Sequence, residues 1–124
     1  GYALLAYLKA ELKAGIEIML DIANFDNTIK NADIVVTGEG KSDHQTMMGK
    51  VAHGVMKRCR KANKPIWLIS GAIDDKEGML TKNFDIVKSI NEGDSRPLPI
   101  LMQKETAMKN MEKTISNLCL HLII

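Results

Sequence analysis

The chain has 124 residues, with 17 Lys and Arg against 15 Asp and Glu, a formal net charge of +2, and aromatic residues at only 4%. This mixed, near-neutral charge gives no reason to expect nucleic acid, and no apolar run approaches the roughly 20 residues of a membrane span. The two cysteines, Cys59 and Cys119, lack CxxC partners, which argues against zinc and a disulfide framework and for a reducing cytoplasm.

The length suits one α/β segment spanning 1–124 with a single core, and is small for a two-substrate enzyme. The start, Gly1-Tyr2-Ala3-Leu4-Leu5, runs into a helical pattern without an initiator Met or capping residue. The expectation is a piece of a larger protein. Leu4, Leu5, Leu8 and Leu12 predict a first helix ending near Ala14, with Gly15 as a left-handed stop. Ile18, Ile22 and Phe25 predict a second helical set closed by Asn24 or Asp26, and Asp26-Asn27-Thr28-Ile29 allows one more capped turn. Ile34-Val35-Val36 then reads as a short strand covered on both faces.

Beyond the polar segment that follows, Val51, Ala52, Val55, Met56, Cys59 and Ala62 mark a helix with one buried face. Its basic last turn, Lys57, Arg58, Arg60 and Lys61, reads as a solvated helix end, and Asn63-Lys64-Pro65 stops it. Ile66-Trp67-Leu68-Ile69 predicts a second strand leading to Ser70-Gly71-Ala72, and Ile86-Val87 with Ile90 a third. A turn at Asp74–Gly78 and a short helix through Leu80 lie between them. Strand and helix alternate, so parallel pairing in an open, doubly wound sheet is expected.

Asn91 to Pro99 reads as a polar loop whose prolines exclude regular structure. From about Leu101, Met108, Met111, Ile115, Leu118 and Leu122 form a stripe expected to pack one long terminal helix on the sheet. Both cysteines and the eight methionines read as buried apolar filler.

The chemistry is concentrated in Thr37-Gly38-Glu39-Gly40-Lys41-Ser42-Asp43-His44-Gln45-Thr46-Met47-Met48-Gly49-Lys50. Gly38-Glu39-Gly40 supplies two glycines of a dinucleotide fingerprint, but Asp43 stands where the third belongs. Gly49-Lys50 resembles the end of a P-loop, but His44 and Val51 replace its first glycine and its magnesium-binding hydroxyl. Neither fingerprint holds.

The functional groups remain. Glu39 and Asp43 suit magnesium or proton abstraction, and Lys50 near a helix start suits phosphate. Glycines 38, 40 and 49 suit positive φ or close ligand approach. The competing structural reading makes Asp43 or Thr46 a helix cap, pairs Glu39 with Lys41, and leaves Lys50 exposed. His44 is a weaker acid/base candidate, while His53 and His121 fall in helical patterns.

The run Ala32-Asp33-Ile34-Val35-Val36-Thr37-Gly38-Glu39-Gly40, with Asp43, Gln45-Thr46, Gly49-Lys50 and Gly54-Val55, resembles the signature of bacterial-type glycerate kinases. The likeness extends to Gly1-Tyr2-Ala3, Pro65, Ser70-Gly71, Ser89-Ile90, and Met102 with Glu105 and Ala107-Met108. Lys104, Thr106 and the Asn91–Leu98 loop depart from it. The resemblance covers nearly the whole chain, as the C-terminal third of a two-domain kinase. A Gly-rich segment is expected upstream of Tyr2.

The resemblance implies a largely parallel Rossmann-like sheet with flanking helices, and transfer of the ATP γ-phosphate to D-glycerate with Mg2+ between two domains. It implies a cytoplasmic enzyme; a homodimer is compatible with it. On chemistry, Asp43 is assigned as general base or magnesium ligand, Glu39 as its partner, and Lys50 as a phosphate or carboxylate contact. Thr37, Gln45 and Thr46 are assigned as hydrogen-bonding groups for substrate, with Gly38, Gly40 and Gly49 beside them. The rival readings are a non-catalytic anion- or nucleotide-binding regulatory module and, less well supported, nucleic-acid binding through Lys57 to Lys64.

Overall fold

A computed structural model describes residues 15–48 and 51–123. Helix α1 runs through 15–22, α2 is Phe25–Thr28, and a 3-10 turn covers Ile29–Asn31. Strand β1 (Val35–Ser42) is followed by a 3-10 turn at His44–Met47, helix α3 (Val51–Lys61) and β2 (Ile66–Ile73). Then come α4 (Met79–Asn83), β3 (Ile86–Ser89), α5 (Leu98–Leu101) and α6 (Lys104–Ile123). The strands form one sheet in the order β1-β2-β3, both pairs parallel, as alternating strands and helices require. The open α/β fold is as expected, and all three carboxyl ends lie at one edge.

The core sits between β2 and the helices. Ile66, Leu68, Leu80 and Cys59 are fully buried, joined by Phe84, Ala52, Val55 and Met56. The α3 stripe is buried as its spacing predicts, except Val51 and Ala62 at its two ends, which are exposed. Burial of Cys59 pushes its thiol up to about 11. Asn63, at a φ of 56°, turns the chain out of α3.

Several expectations are corrected. Gly15 is helical rather than a left-handed stop; the leucines before it lie outside the described residues. The inward face of α1 is Ile16 and Leu20, while Ile18 and Ile22 are exposed. Gly54 of α3 explains the choice of face, because a Cβ there would lie 2.7 Å from Ile16 Cγ1, so the helices meet at closest approach around Ile16. Asn24, left-handed at φ 54°, closes α1 as expected.

Lys57, Arg60 and Lys61 of the basic turn are exposed as a solvated helix end requires, but Arg58 is not. Arg58, only 12% exposed, pairs with Glu17, Asp21 and Asp26 at 2.6, 3.0 and 2.9 Å and ties α1 and α2 to α3. These carboxylates, Glu17 foremost, raise the guanidinium pKa. Arg60 donates to the Asn83 carbonyl and Lys64 to the Lys30 carbonyl. Those contacts occupy much of the stretch considered for nucleic acid.

β1 is an edge strand among the described residues, so Val36 is exposed rather than covered. The prolines do not exclude a helix: Pro97 caps α5 and Pro99 sits in its first turn, where a missing N–H costs nothing. α6 turns Ala107, Asn110, Thr114, Ile115 and Leu118 partly inward, leaving Met108 and Met111 exposed. Cys119 is exposed, and six of the eight methionines, all but Met47 and Met56, are exposed too. These residues lie on the outer faces of their helices and turns, so residue type alone misassigned them.

Candidate active site at the end of the first strand

The polar segment starts inside the sheet. β1 does not end at Val36, because backbone pairing continues with Gly38 opposite Ile69, Glu39 opposite Ser70 and Ser42 opposite Ile73. Glycine is required at 38 by this pairing, since a Cβ would sit 2.7 Å from the Ile69 carbonyl oxygen. Gly71 has the same need, with its Cβ position 2.8 Å from the Gly40 carbonyl oxygen. Neither Gly38 nor Gly40 has positive φ, so that role is withdrawn for both. Of Gly38, Gly40 and Gly71, only Gly40 has open space around its Cβ position, room that a ligand could use.

Asp43 ends the strand and caps the 3-10 turn. Its Oδ1 accepts from the Gln45 N–H at 2.9 Å, and its own N–H donates to Thr46 Oγ1 at 3.1 Å, a reciprocal capping box. Thr46 Oγ1 in turn donates to Glu39 Oε1. One buried hydroxyl therefore holds the two acidic residues in a fixed relation.

Glu39 and Asp43 are both half-buried, and neither forms an ion pair among the described residues, so the Glu39–Lys41 pairing is not formed. Both side chains are therefore available to a cation supplied from outside the described residues. Thr46, 1% exposed with its hydroxyl donating and accepting, holds the site rather than contacting substrate. Thr37 is also buried, at 9% exposure. Gln45 and His44 are exposed and accessible to a ligand. Gly49 and Lys50 lie outside the described residues.

Sequence reasoning missed the polar supports around the neighbouring strand ends. Ser42 and Ser70 are fully buried and joined hydroxyl to hydroxyl. The Gly71 carbonyl accepts from Asn91 Nδ2 at 2.9 Å and Ser89 Oγ at 3.1 Å. Asn110 Nδ2 donates to Asn91 Oδ1 and to Asp94 Oδ2 at 2.9 and 3.1 Å, and Arg96 pairs with Asp94 at 2.5 Å. Arg96 holds the Asp94 carboxyl well below the usual carboxylate range, with Asn110 assisting. The available signal was position, since Ser89 and Asn91 flank the carboxyl end of β3, where open α/β sheets gather polar side chains.

The fold and this strand end define an α/β protein with an acidic, glycine-spaced segment, a candidate ligand site, at the carboxyl edge of a parallel sheet. The family model described as the glycerate kinase family matches residues 1–122, and the chain belongs to that family. It is 37% identical over 115 residues to the glycerate kinase of Bacillus subtilis, covering 92% of this chain and 29% of the relative. With the Bacillus cereus glycerate kinase it is 37% identical over 119 residues, 95% of this chain and 30% of that one. The Escherichia coli glycerate 2-kinase is 41% identical over 91 residues, 73% of this chain and 24% of the relative. The chain thus spans less than a third of the length of these curated relatives.

Proposed function

We propose that this chain is the C-terminal segment of a cytoplasmic glycerate kinase that transfers the γ-phosphate of ATP to a hydroxyl of D-glycerate. The observation that carries the reading is the pair Glu39 and Asp43, held through Thr46 at a strand end and without cation partners among the described residues. Family membership supports the acceptor and donor.

In this reading Asp43 takes the proton of the attacking glycerate hydroxyl. The hydroxyl oxygen forms the new bond to the γ-phosphorus as the bond to the β–γ bridging oxygen breaks, and ADP leaves. Positioning and charge neutralisation supply most of the acceleration in such transfers. Gln45, exposed beside Asp43, contacts the substrate, and open Gly40 lets it approach the strand. Lys50 is assigned to the transferred phosphate or the glycerate carboxylate, with Gly49 beside it.

The donor set fits Mg2+, which takes oxygen ligands and is commonly held by one or two carboxylates together with substrate phosphates. With Asp43 as the base, Glu39 would hold it together with the substrate phosphates. Among the described residues no group of three or more His, Cys, Asp or Glu side chains is placed to bind a metal without substrate. When bound, the ion would neutralise charge on the transferring phosphoryl group.

The test is ATP turnover dependent on D-glycerate by the full-length protein that carries this segment. Phosphoglycerate and ADP in equal amounts are expected. Saturable binding of glycerate or nucleotide without turnover would make the protein a regulatory module instead.

A further inference from the structure

A cleft of about 750 Å3 opens between the carboxyl end of β3, the loop after it, and α6. It lies at the same sheet edge as Asp43, within the roughly 300 to 1,000 Å3 typical of small-molecule sites. Helix α6 lines it with Asn110, Lys113, Thr114, Asn117 and Leu118, so that four of its five lining side chains are polar.

The groups on this wall have defined roles. Asp94 can only accept, so Asn110 must present its amide nitrogen to it; the second amide hydrogen goes to Asn91. Both donors of Asn110 are thereby committed, and its Oδ1 is left as a fixed acceptor. Of the cations lining the cleft, Arg96 is paired with Asp94 and Lys88 with Glu92, whereas Lys113 has no ion-pair partner among the described residues. An acceptor and an ammonium without an ion-pair partner among the described residues, lining one cleft, suit a ligand that carries both a hydroxyl and an anionic group.

We propose that this cleft binds a hydroxylated anion, Lys113 meeting its carboxylate or phosphate and Asn110 Oδ1 accepting from its hydroxyl. Glycerate and ATP share that chemistry. The choice of these two probes rests on the kinase reading, whereas the cleft assignment does not require Asp43.

The test is titration of the 124-residue chain, by calorimetry and by nitrogen-15 amide shifts, with D-glycerate, ATP, adenosine and inorganic phosphate. Either glycerate or ATP should saturate and shift the Asn110 side-chain amide, and whichever does so identifies the source. Lys113→Glu should weaken that binding by at least about tenfold, the scale of a charge-assisted contact, and Lys113→Arg by less than about threefold. Because Lys113 is exposed, both variants should keep the parent circular dichroism spectrum.

Overturning results are no saturation by either ligand, equal binding of adenosine or of inorganic phosphate, shifts confined to Glu39–Met48, or binding unchanged in Lys113→Glu. Failure of these titrations sinks the cleft alone. Normal turnover in a full-length Asp43→Asn protein sinks the catalytic assignment alone.

Discussion

Replacing Thr46 by Val probes the connection on which the site depends. Val keeps nearly the same volume at a position only 1% exposed, so packing is preserved. The hydroxyl is lost, however, and with it the acceptor for the Asp43 N–H and the donor to Glu39. Losing a neutral bond of this kind costs about 1 kcal/mol, and losing a donor to a carboxylate about 1.5 to 3 kcal/mol. The expected total is about 2.5 to 4 kcal/mol, a large share of the stability of a small domain.

Thr46→Ser is the control. It keeps the hydroxyl and removes one buried methyl, at about 1 kcal/mol. Urea unfolding followed by Trp67 fluorescence should rank parent, Ser and Val in descending midpoint, with similar slopes. A Val variant as stable as Ser would show that the hydroxyl does not organise Glu39 and Asp43, and would remove Thr46 from the account of the site.

Two further outcomes follow from the same geometry. Gly38→Ala should lower stability by about 1 to 3 kcal/mol through the clash with the Ile69 carbonyl, while Gly40→Ala, with open space around it, should unfold like the parent. Equal urea midpoints for the two variants would refute the strand-pairing role of Gly38. Asp94 has a folded-state pKa below its unfolded value, so its contribution is present above about pH 4 and fades as pH falls through the folded-state value. Stability between pH 5 and 2 should therefore decline more gently in Asp94→Asn than in the parent, and parallel curves would contradict the pairing with Arg96.

Much of the sheet was legible because its strands are short apolar runs between turn residues: Ile66–Ile69 and Ile86–Val87 are strands, and Asn63-Lys64-Pro65 does stop α3. The extent of β1 was not legible. Gly38, Glu39 and Gly40 have low strand propensity and are held in the ladder by β2, a tertiary effect that outweighs local preference. The inward face of α1 was misread for a related reason, since Gly54 on another helix decides that Ile16, not Ile18, is the contact.

At the site, the residue inventory was readable but the roles were mixed. The reading of Asp43 as either cap or chemical group resolves into a cap that keeps an acidic side chain without an ion-pair partner among the described residues. Thr46 moves from substrate contact to internal support. The Asn91–Asn110–Asp94 chain was invisible because it joins residues 16 and 19 positions apart through a helix whose apolar stripe suggested packing alone.

The most direct measurement of the central claim is steady-state kinetics of Asp43→Asn in the full-length protein. Asn can still accept the Gln45 N–H through Oδ1, so the cap and the fold should survive. Removing a positioned proton acceptor should then lower kcat for D-glycerate phosphorylation by at least about 100-fold. A kcat within a factor of a few of the parent, in a protein with unchanged stability, would contradict the assignment of this strand end to phosphoryl transfer.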